Sequence, residues 1–435
     1  MIMEFIVLAL FCLALFVCLL LDLSILFALA AGLLIFWCYG FCKGYSLCDV
    51  VCFSISGVKT VKNILITFFL IGMLTAIWRE AGTISVIVCL AAKLIRPEVF
   101  LLLTFLLNCL ISFLTGTAFG AAATMGVICS TMGASLQISS ILTGGAVLSG
   151  VYFGDRCSPV STSALLIATL TKTDIFDNIK KMLQTATIPF LLTCFIYALM
   201  GLMLNGCGDV PDLDAIFGIE FNLSLWAVVP ALVILILSLC RVNVKITMIV
   251  SIIVALPICL VVQQTPLEAI PDVLLTGYTA RNAEVAVMLN GGGIVSMLKV
   301  AAIVCISSAY SGIFQSTGLL ENIKSSLHKL AQKTTAFAAM LLTAALTGMI
   351  ACNQTLTIIL THQLNDSTEK DKSQLAIALE DSAVVVAPLV PWSIAGAVPL
   401  ASIDAPLSAI VFACFLYLLP LCGLVKSAIY KQHGR

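Results

Sequence analysis

A chain of 435 residues with formal net charge zero and only 10% charged side chains has no basic patch for nucleic acid and no acidic tail. Hydrophobic residues make up 61% of it, and its mean hydropathy of +1.15 excludes an ordinary soluble globular domain. The polar connections between apolar runs are too short to bury a core of their own.

In chain order, apolar runs predict membrane helices near 2–21, 23–41, 62–80, 98–114, 138–153, 186–204, 222–240, 245–263, 297–317, 335–351, 374–390 and 405–425. Such runs of about 20 residues cross a hydrocarbon core of roughly 30 Å. Shorter apolar pieces near 83–95, 117–133, 158–171, 353–364 and 393–403 have the length of half-helices, re-entrant hairpins or interfacial segments. The expected fold class is an all-α polytopic membrane protein of about 11–13 transmembrane helices. Residues 1–20 lack a basic leader and an Ala-x-Ala site, so they read as a retained first helix rather than a signal peptide. The 18 cysteines are scattered without a CxxC; Cys48 and Cys52, like Cys38 and Cys42, have close helical spacing. The three histidines, His328, His362 and His433, lie apart from any cysteine cluster, so no metal centre or cofactor is expected. Free thiols in such number suit a cytoplasmic membrane facing a reducing interior.

Basic loops are marked by Lys43, Lys59 and Lys62, by Lys172, Lys180 and Lys181, by Arg241 and Lys245, by Lys324, Lys329 and Lys333, and by Lys426, Lys431 and Arg435. The segment 205–220 carries Asp209, Asp212, Asp214 and Glu220 instead. Placing the basic loops in the cytoplasm puts both termini inside and 205–220 outside.

Within this pattern the chain repeats. Ile77–Gly82 resembles Ile313–Gly318, Thr115-Gly116 resembles Thr347-Gly348, and Ser158-Pro159-Val160 resembles Ala387-Pro388-Leu389, all in the same order. The charge count has the first unit enter the membrane from inside and the second from outside. Two inverted repeats, with broken helices and re-entrant hairpins, are therefore expected. The segments are 1–56 (N-terminal helices), 57–205 (first repeat), 206–296 (connecting helices and an external loop) and 297–428 (second repeat).

Charge and helix breakers fall inside apolar sequence twice: at Gly154-Asp155-Arg156 with Ser158, Pro159, Ser161 and Thr162, and at Glu380-Asp381-Ser382 with Pro388 and Pro391. An intramembrane carboxylate is costly unless an ion, a partner or a cavity satisfies it. Prolines there free backbone carbonyls that must bind something. Gly154, Pro159, Pro388 and Pro391 are the candidate helix breaks. Asp155 is the candidate Na⁺ ligand, with Arg156 as an alternative ion-pair partner. Glu380 and Asp381 are candidate ligands whose alternative is a solvated helix end. Adjacent amides at Asn353 and Gln354 need partners in apolar surroundings and join the candidate ion or substrate site. The small residues of 115–124 and 347–355 equally serve close helix packing. A carboxylate in such a place holds a cation or a proton, and that competition is all that antiport requires. Half-helix N-termini there would instead favour an anion. Arg79 and Glu80 read as an interfacial pair, and Gly291–Gly293 as a flexible external loop. Walker, HExxH and GxSxG signatures are absent, so no enzyme is indicated. An intramembrane aspartyl protease using Asp155 and Asp381 would lack the first Gly of Gly-x-Gly-Asp and leave the repeat without purpose.

Ser149-Gly150-Val151-Tyr152-Phe153-Gly154-Asp155-Arg156-Cys157-Ser158-Pro159-Val160-Ser161 resembles the Ser-Gly-Ala-Tyr-Phe-Gly-Asp-Lys-x-Ser-Pro-Leu-Ser signature of the NhaC family of Na⁺/H⁺ antiporters. Ala378–Ser382 with Pro388–Trp392, and Gly291–Met297, are similar to further stretches of that family, and the likeness runs from about residue 57 to 425. The resemblance implies a secondary transporter of the cytoplasmic membrane, with transported Na⁺ and H⁺, no cofactor, and elevator-type motion as an option. Thr162 stands where the family commonly has an acid, Leu165 where it has an amide, and Asn353 where members often have an acid. Fewer carboxylates imply a lower cation affinity. The family's wider circle implies the alternative: a Na⁺- or H⁺-coupled exchanger of a small organic acid, of malate/lactate type, or of an amino acid, with Arg156 as the carboxylate partner. The lipid bilayer is the expected partner, and homodimerisation is left open.

Overall fold

The computed structural model describes residues 2–20, 25–92, 96–159, 161–204, 213–240, 242–318, 335–366 and 371–433. Val160, Asp209, Asp212, Arg241, Lys324, His328, Lys329, Lys333 and Arg435 lie outside them, as do the side chains of Lys431 and His433. The protein is an all-α polytopic membrane protein; among the described residues the only β pairing is an isolated antiparallel bridge between Tyr278 and Gly291. Among the described residues, five helices are unbroken, apolar and long enough to cross a membrane: Pro97–Thr115, Ala118–Ser135, Ile175–Met203, Lys245–Val262 and Gly293–Phe314. Two bent pairs, Leu65–Glu80 with Thr83–Leu90 and Lys372–Leu389 with Ile394–Ser402, turn by 66° and 58° at their breaks. Counting each bent pair as one span gives up to seven among the described residues, below the 11–13 expected, and the remaining apolar helices are shorter, at 10–17 residues.

Packing divides the chain into two compact units, residues 1–66, 299–395 and 423–435, and residues 67–298 and 396–422. These units cut across the four sequence segments, because a repeat is a relation of sequence and a unit is a matter of contact.

The first unit is built on aromatic side chains. Phe11, Phe36, Tyr39, Tyr310 and Phe314 are all buried, and the Phe36 and Phe314 rings meet edge to face at 4.4 Å. Residues 47–60, read from sequence as part of a basic loop, form the helix Leu47–Thr60. Its start is fixed by a capping box in which Ser46 and Asp49 satisfy each other's backbone N–H groups. Mixed apolar and polar residues hid this helix from a hydropathy reading.

The second unit is organised by the helix Ser140–Cys157, which lies along Pro97–Thr115 and Leu407–Phe412. Gly150 and Gly154, four apart, form the seam. A Cβ on Gly154 would come 2.4 Å from the Phe113 nitrogen and 2.4 Å from Ser112 Cβ. Gly154 is therefore not a helix break, as the sequence suggested, but a close-packing residue inside an unbroken helix. Tyr197, fully buried, ties the long helix Ile175–Met203 to this core: its hydroxyl lies 2.8 Å from Ser149 Oγ and donates to the Phe412 carbonyl at 2.8 Å. Ala118–Ser135, expected as a half-helix, re-entrant hairpin or interfacial segment, is a continuous helix containing a π-turn at Ala122–Gly126. Of its residues 78% are buried, against 28% of an apolar 18-residue stretch within Ile175–Met203.

The two halves share local backbone conformations. Pro97–Thr115 ends in Gly116 at φ +66, and Thr117, extended at φ −151, caps the next helix. Ala336–Ala351 ends in Cys352 at φ +56, and Asn353, extended at φ −152, caps the next helix. Glycine adopts such a left-handed cap at no steric cost; Cys352 does so against it. The sequence match of Thr115-Gly116 with Thr347-Gly348 is thereby corrected, since Gly348 lies inside a helix and the counterpart of Gly116 is Cys352. Likewise Ser158, extended ahead of Pro159, corresponds to Val390, extended ahead of Pro391. Pro388 sits in a 3₁₀ turn, Ala387–Leu389, that prolongs the preceding helix, so Pro391 and not Pro388 marks the break.

Candidate functional site

In the second unit the helix Ser140–Cys157 stops at Ser158-Pro159 and restarts at Thr162 with Ser161 as N-cap. The reversal brings two serine side chains onto Asp155, which is 4% exposed. Ser161 Oγ donates to Asp155 Oδ1 at 3.1 Å, and Ser163 Oγ donates to Oδ2 at 3.1 Å. The two hydroxyl oxygens lie 2.8 Å apart. Ser161 Oγ also accepts the N–H groups of Ser163 and Ala164 at 3.2 and 3.5 Å, capping the new helix. Hydroxyls have both donor and acceptor capacity, so this pair can donate to an ionised carboxylate or turn lone pairs toward a cation held beside it. Ser158, fully buried, lies at the break itself. Thr162 is exposed and takes no part in these bonds. Ser163, which motif reading passed over, takes the place given to Thr162. The signal for it was its spacing of two from an N-cap serine, which returns both hydroxyls to one side.

Arg156 is fully buried. It donates from Nη1 to the Met182 carbonyl at 3.1 Å and from Nη2 to Thr185 Oγ1 at 2.9 Å. Those bonds fasten the residue after Asp155 to the helix Ile175–Met203, which makes Arg156 an anchor and removes the ground for reading it as a substrate's carboxylate partner.

The first unit holds the other candidates. Asn353 Oδ1 accepts the Leu356 N–H at 3.0 Å, so this amide caps a helix. Gln354 Nε2 donates to the Val384 carbonyl at 3.3 Å. Trp392 Nε1 donates to the Met349 carbonyl at 2.9 Å, and the Ile394 N–H to the Cys352 carbonyl at 2.8 Å. The helix break at Cys352-Asn353 is thus bonded to the break at Val390–Ser393. Glu380 and Asp381 close the helix Lys372–Glu380 and are 0% and 5% exposed, which overturns the alternative of a solvated helix end.

Two further readings change. Arg79 does not form an interfacial pair with Glu80: it is 4% exposed and its Nη2 donates to Asp404 Oδ2 at 2.8 Å, whereas Glu80 Oε1 accepts the Thr265 hydroxyl at 2.6 Å. Gly291–Gly293 is not a loose loop: Gly291 and Tyr278 exchange backbone bonds of 2.9 and 3.0 Å. Among the described residues no group of three or more His, Cys, Asp and Glu side chains is placed to hold a metal ion.

A carboxylate buried beneath hydroxyls at a broken, otherwise apolar helix defines the class of ion-coupled secondary transporters. The sequence pattern of the Na⁺/H⁺ antiporter family matches residues 1–171 and 150–429, and the chain belongs to that family. It is similar to the malate-2H⁺/Na⁺-lactate antiporter of Bacillus subtilis, at 28% identity over 86% of this chain and 82% of the relative. It is similar to the Na⁺/H⁺ antiporter NhaC of the same organism, at 27% over 87% and 86%. The arginine/ornithine antiporter ArcD of Halobacterium salinarum is 25% identical over 78% and 72%.

Proposed function

We propose that the protein exchanges Na⁺ for H⁺ across the cytoplasmic membrane and that Asp155 carries the coupling. The observation that supports this is the buried Asp155 carboxylate with one serine hydroxyl on each oxygen. In the outward step the ionised carboxylate holds Na⁺ with the oxygens of Ser161 and Ser163. In the return step a proton replaces the cation, because a buried bare carboxylate is the least favourable of the three states. Ser158 adds oxygen at the break. Asn353, Gln354, Glu380 and Asp381 belong to the other unit and are candidate ligands there. The matching caps at Gly116-Thr117 and Cys352-Asn353 support two repeats, and the basic loops support opposed crossing with both termini in the cytoplasm. A homodimer is not required by this scheme.

The test is proton flux in proteoliposomes under an imposed Na⁺ gradient, comparing wild type with Asp155→Asn. The variant, inserted at normal levels, is expected to lose exchange; exchange at the wild-type rate would remove Asp155 from the mechanism. A second reading, coupled exchange of a small organic acid, is supported by the malate/lactate relative, which is as similar to this chain as the NhaC protein is.

A further inference from the structure

Arg79 ends the helix Lys62–Glu80 with its guanidinium buried and incompletely used. Nη2 donates to Asp404 Oδ2 at 2.8 Å, while Nε and Nη1, also buried, have no hydrogen-bond partner among the described residues. Arginine keeps its charge in any protein, so the cost of those unfilled donors is permanent. Asp404 is an unusual partner. Its side chain is 53% exposed, and its backbone sits at φ +53, where a residue with a Cβ is strained. Opposite it lies Gly291, at φ +127; a Cβ there would come 2.4 Å from Nη1 and 3.1 Å from Asp404 Oδ2. A side chain at this position would therefore collide with the guanidinium's second limb.

We propose that Arg79 is a recognition site for the carboxylate of a small organic anion. A guanidinium edge is matched by two parallel N–H···O bonds to one carboxylate. Asp404 supplies a single bond to Nη2 and fills neither edge. An incoming carboxylate approaching from the exposed side of Asp404 takes its place and adds Nη1 or Nε as the second limb. Asp404 is then a resident competitor, released when the anion binds and returned when it leaves. Transport of the anion rests on the organic-acid reading; its binding is argued from this geometry alone and does not depend on Asp155.

The test uses the purified full chain titrated with potassium lactate and potassium malate, against potassium chloride at equal ionic strength. The readouts are thermal stabilisation and uptake of the radiolabelled acids into proteoliposomes. Saturable stabilisation by at least one acid is expected. Arg79→Lys, which keeps the charge and loses the fork, should weaken binding roughly tenfold, the scale of one charge-assisted hydrogen bond. Asp404→Asn, which removes the competitor, should tighten it by a similar factor. No stabilisation of the wild type, or binding unchanged in Arg79→Lys and not tightened in Asp404→Asn, overturns the proposal. Sodium-driven proton flux in the same vesicles is read in parallel. Its absence would count against the cation reading, while the titration decides the carboxylate site.

Discussion

The Cys352 carbonyl accepts the Ile394 N–H at 2.8 Å, so two helix breaks of the second half are joined backbone to backbone. Each break exposes polar main chain in apolar surroundings, and here each satisfies part of the other's deficit. The cost of interrupting two helices is thereby lowered, and the side chains of 353 and 354 are left to smaller tasks.

One of those tasks is measurable. Asn353 caps its helix through the Leu356 N–H. Asn353→Ala should cost about 1 kcal/mol of stability, whereas Asn353→Asp, an equally good cap, should cost little. Thermal unfolding in detergent reads the first effect. Any change in Na⁺ dependence seen only with Asp then reports added charge and not a damaged helix.

Around Asp155 the serines should matter unequally to their neighbour. Ser163→Ala removes one charge-assisted bond and is expected to raise the Na⁺ concentration for half-maximal exchange by about ten- to a hundredfold, since such bonds are worth roughly 1.5–3 kcal/mol. Ser161→Ala should do this and also weaken the helix cap. Thr162→Ala, at an exposed position, should leave the Na⁺ dependence within about twofold of wild type. Equal effects at 162 and 163 would contradict the geometry.

The seam at Gly154 predicts a stability effect without a chemical one. Gly154→Ala inserts a methyl where Phe113 and Ser112 already stand at 2.4 Å, and overpacking of this kind costs typically about 1–3 kcal/mol. Lower melting temperature and lower yield are expected, with Na⁺ dependence of the surviving protein unchanged.

Opposed repeats predict opposite accessibility. On a background without native cysteines, a cysteine at position 212 should react with an impermeant reagent from outside, and one at 326 from inside. Labelling of both from the same side would contradict the inverted arrangement.

Much of this architecture is readable from residues that punctuate apolar sequence. Ser158-Pro159 and Pro391 announce their breaks because proline forces the preceding residue out of helix, and hydropathy places most spans within a few residues. Gly154 misleads because a glycine near a helix end looks the same whether it terminates the helix or packs it; its spacing of four from Gly150 was the discriminating sign. Cys352 escapes because a non-glycine residue in a left-handed cap has no local signature. Ser163 needs knowledge of how the chain folds back over Asp155. The Arg79–Asp404 pair joins residues from distant parts of the chain, and no local periodicity links them.

Among the described unbroken spans, the apolar stretch of Ile175–Met203 has the largest exposed share, and this helix also holds two anchors of the Asp155 segment, through Arg156 to Met182 and Thr185 and through Tyr197 to Ser149. A span that tilts to match its surroundings therefore pulls on the carboxylate's own helix. Bilayer thickness becomes an input to the exchange reaction: turnover should change between vesicles of shorter and longer acyl chains, and weakening the anchor with Thr185→Val, which removes one of the two Arg156 bonds, should reduce that dependence.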